Sequence, residues 1–423
     1  MYHILSHRDK ALVVFEIKNN NVVNCVINKD DTAHLPLPLK RIVHQRKEFV
    51  ESESDVGYYL NEDGCYLFDK WLGEREIPLS RNNYELYINK RGNARQWLLE
   101  NHGMSYNDCY WIQSQEEDLD WEDILEGLDS LDTLHSIRSK SNTYSGNNAT
   151  LGGQLEKFWY KENGRVKLCK KVDMSYDILA LREILATLIY ERQGYDNYCG
   201  YSLLHNTKGN VIGCTCECFT NPDIELVTAY DLLEECNMTQ VDDVWERIVE
   251  FAVSYGLAEA AVRDYLDILT IVDYLITNRD RHQCNIAFLR DAVTLKLIKP
   301  ALIFDSGSSK FQEGRKPETY LRTKVNGLYS TEVECLKHVR SLCSVNVYEL
   351  PDQSEYRSIL DLSSSLTEER KEYLVNLYLR KKQFIADLQK RQLQGEDIVQ
   401  YLDNLVSKEE QYVSTFLDRM FED

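Results

Sequence analysis

The chain has 423 residues, 43% of them hydrophobic and 28% charged, with a mean hydropathy of −0.46, which is enough for a sizeable core and two or three domains. No apolar run approaches the roughly 18–20 residues of a membrane span, and Met1-Tyr-His-Ile-Leu-Ser-His-Arg8 lacks the apolar stretch of a secretory signal, so a cytoplasmic protein is expected. The net charge of −20 argues against a chain built to coat nucleic acid or an anionic membrane.

In chain order, the apolar runs Ala11–Ile17 and Val22–Ile27, broken by Asn and Asp, predict strands and turns. Leu35-Pro-Leu-Pro-Leu39 predicts an extended segment outside any central strand, because proline cannot donate to a ladder. Phe68–Pro78 reads as a helix end and a stop, and 94–135 as mainly helical. Within it, Glu116–Asp132 carries nine carboxylates and no Lys or Arg. Leu119, Ile124, Leu125, Leu128 and Leu131 fall near helical spacing, which predicts an acidic amphipathic helix, with a docking surface for a basic partner as the alternative. The polar, turn-rich Ser139–Asn148 reads as a linker that closes an N-terminal module.

Beyond the linker, Leu155–Tyr160 and Arg165–Lys170 predict a hairpin around Glu162-Asn163-Gly164. Tyr176–Gln193 predicts a helix closed by Gly194. Tyr201–His205 and Val211–Phe219 predict strands around Lys208-Gly209-Asn210, and Thr239–Ile276 is helical with a break at Gly256. Asn285–Leu289 and Thr294–Ile298 predict a second hairpin, followed by the apolar run Ala301–Phe304. Ser365 with Glu368 predicts a capping box for a helix that ends near Gln394. Twelve scattered cysteines predict reduced thiols. Cys214-Thr-Cys216-Glu-Cys218 alternates at strand period with no second Cys/His pair at ligand spacing, so buried strand cysteines are expected rather than a zinc site.

One constellation carries chemistry: Asn278-Arg-Asp280-Arg-His-Gln-Cys-Asn285, then Phe304-Asp305-Ser-Gly307. Phosphoryl transfer needs a carboxylate to orient the attacking hydroxyl, oxygen ligands for Mg²⁺ on the phosphates, and a cation on the nucleotide. Asp280 supplies the first, and Asn285 and Asp305 the metal ligands. Asp-x4-Asn alone is a weak signal. Its weight comes from the order helix, loop, hairpin, strand, Asp-x-Gly; the bland reading is a set of turn-capping side chains. Upstream, Lys170 ends the second hairpin strand on the face of Val166 and Leu168, with Lys167 and Lys171 as competitors for the phosphates. Glu183 lies on the apolar face of the next helix, where a carboxylate should be paired. Gly152 and Gly153 precede the first strand and would let backbone N–H groups approach phosphate. His282 reads as a packed loop histidine at least as readily as a catalytic one.

From Asp273-Tyr-Leu-Ile-Thr-Asn278 through Gly307 the chain resembles the C-terminal signature of the HipA-like serine/threonine kinases, bacterial relatives of the phosphoinositide lipid kinases, which share an Asp-Arg-His-x-x-Asn loop. It is similar to the larger members found in Gram-positive anaerobes. Phe68-Asp-Lys-Trp71-Leu-Gly-Glu-Arg75-Glu-Ile-Pro78, Tyr106-Asn-Asp-Cys-Tyr110-Trp-Ile112, Gly153-Gln-Leu-Glu-Lys157-Phe-Trp159 and Cys216-Glu-Cys-Phe219-Thr support the likeness, which covers roughly residues 60–345. The resemblance implies Asp280 as hydroxyl-orienting base, Asn285 and Asp305 as Mg²⁺ ligands, Lys170 on the phosphates of ATP with Glu183 holding it, and Glu217, Cys218 and Phe219 as the adenine hinge. It also implies autophosphorylation at Thr150, where some members carry a serine, and a small antitoxin-like partner.

The expected fold is α+β and two-lobed, protein-kinase-like (HipA-like). An N-terminal mixed module (1–140) stands before a small lobe (149–235) and a helical large lobe (236–423). The expected activity is transfer of the ATP γ-phosphate to a protein Ser/Thr hydroxyl, without direct nucleic-acid or membrane binding. The alternatives are a small-molecule or lipid kinase, or a nucleotide-binding pseudokinase.

Overall fold

The structure, a computed structural model, describes residues 1–88, 92–129, 148–239, 243–307 and 323–408. Most of the expected linker, Ser139–Asn147, and Leu131 of the acidic helix lie outside the described residues. Described strands are β1 (Tyr2–His7), β2 (Lys10–Lys18), β3 (Asn21–Asn28), β4 (Val50–Glu53), β5 (Gly57–Leu60), β6 (Tyr110–Ser114), β7 (Lys157–Glu162), β8 (Arg165–Lys171), β9 (Ser202–His205), β10 (Val211–Glu217), β11 (Ile224–Thr228), β12 (Ala287–Asp291) and β13 (Leu297–Pro300). Helices are α1 (Leu37–His44), α2 (Arg46–Phe49), α3 (Glu62–Glu74), α4 (Tyr84–Ile88), α5 (Ala94–Glu100), α6 (Trp121–Asp129), α7 (Ile178–Arg192), α8 (Ala229–Glu235), α9 (Val244–Ser254), α10 (Glu259–Ile276), α11 (Glu332–Lys337), α12 (Gln353–Leu360) and α13 (Glu368–Leu393). The fold is mixed α and β, its named strand pairs antiparallel. Among the described residues no helix is long and apolar enough to cross a membrane.

The chain divides into two compact units, each assembled from three stretches. The first is Met1–Val172, Gly213–Leu257 and Ala287–Lys299; the second is Asp173–Ile212, Ala258–Ile286 and Pro300–Asp423.

The first unit is built on a six-stranded sheet of order β4-β5-β3-β2-β1-β6. Its apolar face is covered by α1 and α3, whose Leu39, Ile42, Phe68 and Leu72 bury against Leu5, Phe15 and Ile27. Phe15 meets Phe68 edge-on with ring centroids 4.9 Å apart. A second sheet of the same unit runs β11-β12-β13. Fully buried Glu225 on β11 accepts bonds from His7 Nε2, the Cys109 N–H and Arg290 Nε, each at 2.9 Å, and so ties β1, the approach to β6, and β12 together. The acidic stretch forms α6, which buries Trp121, Ile124 and Leu128 against Met104, Trp111 and Ala292, as the amphipathic reading expects. Antiparallel β7 and β8 form the expected hairpin, with Asn163 (φ 51°) and Gly164 (φ 78°) in the left-handed conformations its two-residue turn demands.

In the second unit α7, α10 and α13 supply the core. Lys381 of α13 is buried and donates to Glu332 Oε1 (2.7 Å), Glu332 Oε2 (2.9 Å), the Tyr274 carbonyl (2.8 Å) and Thr277 Oγ1 (3.1 Å). One ammonium thus satisfies carbonyl and hydroxyl oxygens at the C-terminal end of α10, where intrahelical partners run out.

Three local expectations need correction. Leu35–Leu39 is extended only at Leu35 and Pro36: Leu37–Leu39 opens α1, and Pro38 falls in its first turn, where its missing N–H costs nothing. The described part of the 94–135 stretch, 94–129, is not mainly helical, for β6 lies within it and pairs with β1. The cap of α13 is Thr367, whose side chain accepts the Arg370 N–H, whereas Ser365 donates to Asp177 Oδ1 at 2.7 Å.

Candidate active site

The second unit holds the loop between α10 and β12. Helix α10 stops at Thr277, a β-branched residue in the left-handed region (φ 61°). Such a conformation costs energy in a non-glycine residue and persists only where its surroundings hold it. The chain then runs Asn278-Arg279-Asp280-Arg281, and its centre is a buried ion pair. Arg281 Nε donates to Asp273 Oδ2 at 2.7 Å, and a second guanidinium nitrogen donates to Asp273 Oδ1 at 3.0 Å. Burial alone pulls the guanidinium pKa down, but the Asp273 carboxylate outweighs it and holds Arg281 above its ordinary value. The same guanidinium donates to the carbonyls of Asn285 (2.9 Å) and Phe304 and to Ser306 Oγ (3.3 Å). Asn278 Nδ2 donates to Asp273 Oδ1 at 2.8 Å and, at 3.4 Å, to the Asp305 carbonyl. One anchor therefore fixes both the Asp280–Asn285 loop and the Asp305 turn.

On that frame Asp280 is half-buried, and its Oδ1 accepts from Asn326 Nδ2 at 2.6 Å. Asn285 is buried; its Nδ2 donates to the Asp280 carbonyl at 2.8 Å, and its Oδ1 is the acceptor end of the same amide. Asp305 adopts φ 56°, a left-handed aspartate two residues after Ile303, which bridges to Tyr198. Glu183 of α7 is only 3% exposed, and its Oε2 accepts the Ser306 N–H at 2.9 Å. Gly307 is required by sterics: a Cβ there would collide with the Leu179 carbonyl oxygen on α7. Asp280, Asn285, Asp305 and Glu183 thus belong to one hydrogen-bonded neighbourhood of the second unit.

The remaining expected residues lie in the first unit. Of the three competing lysines, Lys167 Nζ binds Glu162 Oε2 and Lys171 Nζ binds Glu156 Oε1, both at 2.8 Å. Lys170 is 3% exposed and lies opposite Cys214 and Lys157 in the β8 register. The carbonyls of Leu151 and Gly152 are held by Arg81, Gly153 has φ 84°, and Thr150 Oγ1 donates to the Met104 carbonyl at 2.9 Å. In the expected hinge Glu217 pairs with Arg165 at 2.8 Å, and the Cys218 N–H donates to the Val166 carbonyl at 2.9 Å. That amide is engaged by β8. Phe219 follows it, half-buried. Cys214 and Cys216 are buried as expected, and all twelve cysteines are free thiols.

Sequence reasoning passed over Asp273, Arg281, Asn326 and the Lys381–Glu332 pair. Asp273 and Arg281 stand inside the motif, and an Asp inside an otherwise apolar helix is the signal that could have pointed to a buried partner. His7 Nε2, Cys109 Sγ and a Glu225 oxygen lie within 4.8 Å of one another, a spacing that suits a metal. Arg290 sits 2.8 Å from the same carboxylate, however, and its charge opposes a dication there. The cluster reads as a structural polar network.

No family model matches the chain, and no curated protein matches it in sequence. Among solved structures it is similar to CtkA, a proinflammatory kinase of Helicobacter pylori, at 17% identity and a TM-score of 0.42, over 60% of this chain and 94% of that one. So slight a likeness does not fix the fold.

Proposed function

We propose that the chain is an ATP- and magnesium-dependent phosphotransferase of two-lobed, kinase-like fold, and within that class a serine/threonine protein kinase of the HipA-like type. The observation that carries the reading is the shared anchor: the buried Arg281–Asp273 pair holds the loop bearing Asp280 and Asn285 and the turn bearing Asp305. A base carboxylate and two hard oxygen donors are offered from one rigid frame, as in-line phosphoryl transfer requires.

The donor chemistry fits Mg²⁺, since the Asn285 amide oxygen and the Asp305 carboxylate are both hard ligands. The ion would supply charge neutralisation on the phosphates. Asp280 orients the acceptor hydroxyl and receives its proton. Lys170 takes the role of phosphate contact, a role its burial and the surface pairing of Lys167 and Lys171 support. Glu183 takes the role of its holder. The segments 1–140, 149–235 and 236–423 are proposed as module, small lobe and large lobe. Glu217, Cys218 and Phe219 are proposed as the hinge that recognises adenine. Phosphorylation of Thr150 would first have to break its bond to Met104. A protein substrate and a small antitoxin-like regulator are the proposed partners.

The test is intact mass and radiolabel transfer after incubation with Mg-ATP, wild type beside Asp280→Asn. Label on the protein or on a lysate acceptor only with wild type supports the reading. Bound ATP without transfer would point to the pseudokinase, and no ATP binding would overturn the proposal.

A further inference from the structure

Within its own loop Asp280 is held through its backbone: its N–H donates to Asn278 Oδ1 at 3.2 Å and its carbonyl accepts from Asn285 Nδ2 at 2.8 Å. Its carboxylate is met from a second segment of the same unit. Between Thr323 and Glu332 the chain doubles back on itself. Lys324 bridges Thr331, the Val325 N–H donates to the Ser330 carbonyl at 3.0 Å, and the Glu332 N–H donates to the Thr323 carbonyl at 3.1 Å. The tip of this turn lies on the backbone of the Asp280 loop. The Asn326 N–H donates to the Arg279 carbonyl at 2.7 Å, and a Cβ on Gly327 would stand 3.6 Å from the Arg281 carbonyl oxygen. The Asn326 side chain reaches the residue between them, Nδ2 donating to Asp280 Oδ1 at 2.6 Å.

The foot of the turn and the root of the loop share an anchor. Thr331 caps α11 and Glu332 begins it. Lys381 grips the Glu332 carboxylate and also holds the Tyr274 carbonyl and the Thr277 hydroxyl, where α10 gives way to the Asp280 loop. Asn326 is exposed and Asp280 half-buried. A surface bond between two loose segments would be opposed by the entropy of ordering them; here the core supplies the ordering. The donor also suits the chemistry. An ionised carboxylate can only accept, so the amide presents its Nδ2. A lysine or arginine in that place would form a charge-assisted bond, roughly twice as strong, and tie up the charge that must receive a proton.

We infer that Asn326 is a positioning residue for phosphotransfer: its amide fixes the rotation of the Asp280 carboxylate and so aims it at the acceptor hydroxyl. The torsion that turns an aspartate carboxylate is soft, and a bond to one of its oxygens sets it. Asn326 moves no proton itself and acts through Asp280. The inference rests on the proposed role of Asp280 as base. A plain turn former would fill position 326 for its backbone shape alone, and aspartate serves that purpose as well as asparagine.

The test measures radiolabel transfer by the full chain at saturating Mg-ATP, to itself or to a lysate acceptor, with Mg-ATP affinity read by calorimetry. Asn326→Ala removes the donor, and Asn326→Asp keeps the turn but sets a second carboxylate against Asp280. Both should slow transfer by about 10–100-fold, the usual effect of a misaimed catalytic group, and leave Mg-ATP affinity at the wild-type value. Added to Asp280→Asn, Asn326→Ala should take nothing further, because its route runs through the carboxylate. Wild-type transfer by Asn326→Asp would assign the residue to the turn alone. A further loss on top of Asp280→Asn, or a fall in Mg-ATP affinity, would mean that it acts by another route. Each of these results overturns the inference and leaves the base assignment standing. Wild-type transfer by Asp280→Asn, or no transfer by wild type, would overturn the phosphotransfer reading and this inference with it.

Discussion

Arg281 and Asp273 meet through two hydrogen bonds, at 2.7 and 3.0 Å, and both side chains are nearly excluded from solvent. A helix residue and a loop residue eight positions apart thereby define where Asp280, Asn285 and the Asp305 turn stand. Removing either partner leaves a buried charge without compensation, which typically costs about 3–5 kcal/mol. Asp273→Asn is expected to lower unfolding stability by that order in urea titrations and to reduce phosphotransfer as the loops lose their anchor. A stability within about 0.5 kcal/mol of wild type would deny the pair its structural role.

Asp280→Asn changes little in packing, since Asp280 is half-buried and the Asn326 amide can bond to an amide oxygen in place of Oδ1. Transfer should fall by about 10²–10⁴-fold, the usual share of a general base. Mg-ATP affinity should stay near wild type by calorimetry. Asp305→Asn, by contrast, should weaken Mg-ATP binding as well.

Lys381 and Glu332 form a second buried pair in the same unit. Lys381→Met strips Glu332, the Tyr274 carbonyl and Thr277 of a shared donor and should cost about 3–5 kcal/mol. The double variant Lys381→Met, Glu332→Leu should recover part of that loss, because no lone charge remains. A double-mutant cycle in urea reads the coupling, and strictly additive losses would mean that the two act separately.

Glu225 makes the first unit acid-sensitive. Burial pushes its carboxyl up, but Arg290, His7 and the Cys109 N–H outweigh burial and hold it at about 2 against an ordinary 4.5. A carboxyl depressed by folding contributes stability that is fully present above pH 4.5 and is lost as pH falls towards 2. That difference corresponds to about 3 kcal/mol near neutrality. Glu225→Gln should therefore destabilise at pH 7 and flatten the loss of stability between pH 4.5 and 2. Urea midpoints measured across that range decide it, and an unchanged acid slope would reassign the effect.

Much of the local architecture was legible before any coordinates. Asn163-Gly164 at a hairpin, Gly194 closing a helix, the break at Gly256 and the apolar stripe of the acidic helix each depend on neighbours a few residues away. Side-chain period and turn chemistry decide such features directly. The motif from Asn278 to Gly307 was legible for the same reason, as residue types at fixed spacing. The misread proline segment and the missed strand β6 show the limit: β6 exists because β1, a hundred residues earlier, offers it a partner.

The sequence alone thus determined the candidate chemistry, namely a base carboxylate, hard oxygen donors and a choice of three lysines. Only the tertiary structure decided what holds them. It gave Lys167 and Lys171 carboxylate partners, buried Lys170 on β8, joined Glu183 to the Ser306 N–H, and tied two loops to Arg281. Spacing specifies which groups a short segment can present, whereas burial and pairing arise between segments distant in the chain and are fixed only when the whole core closes around them.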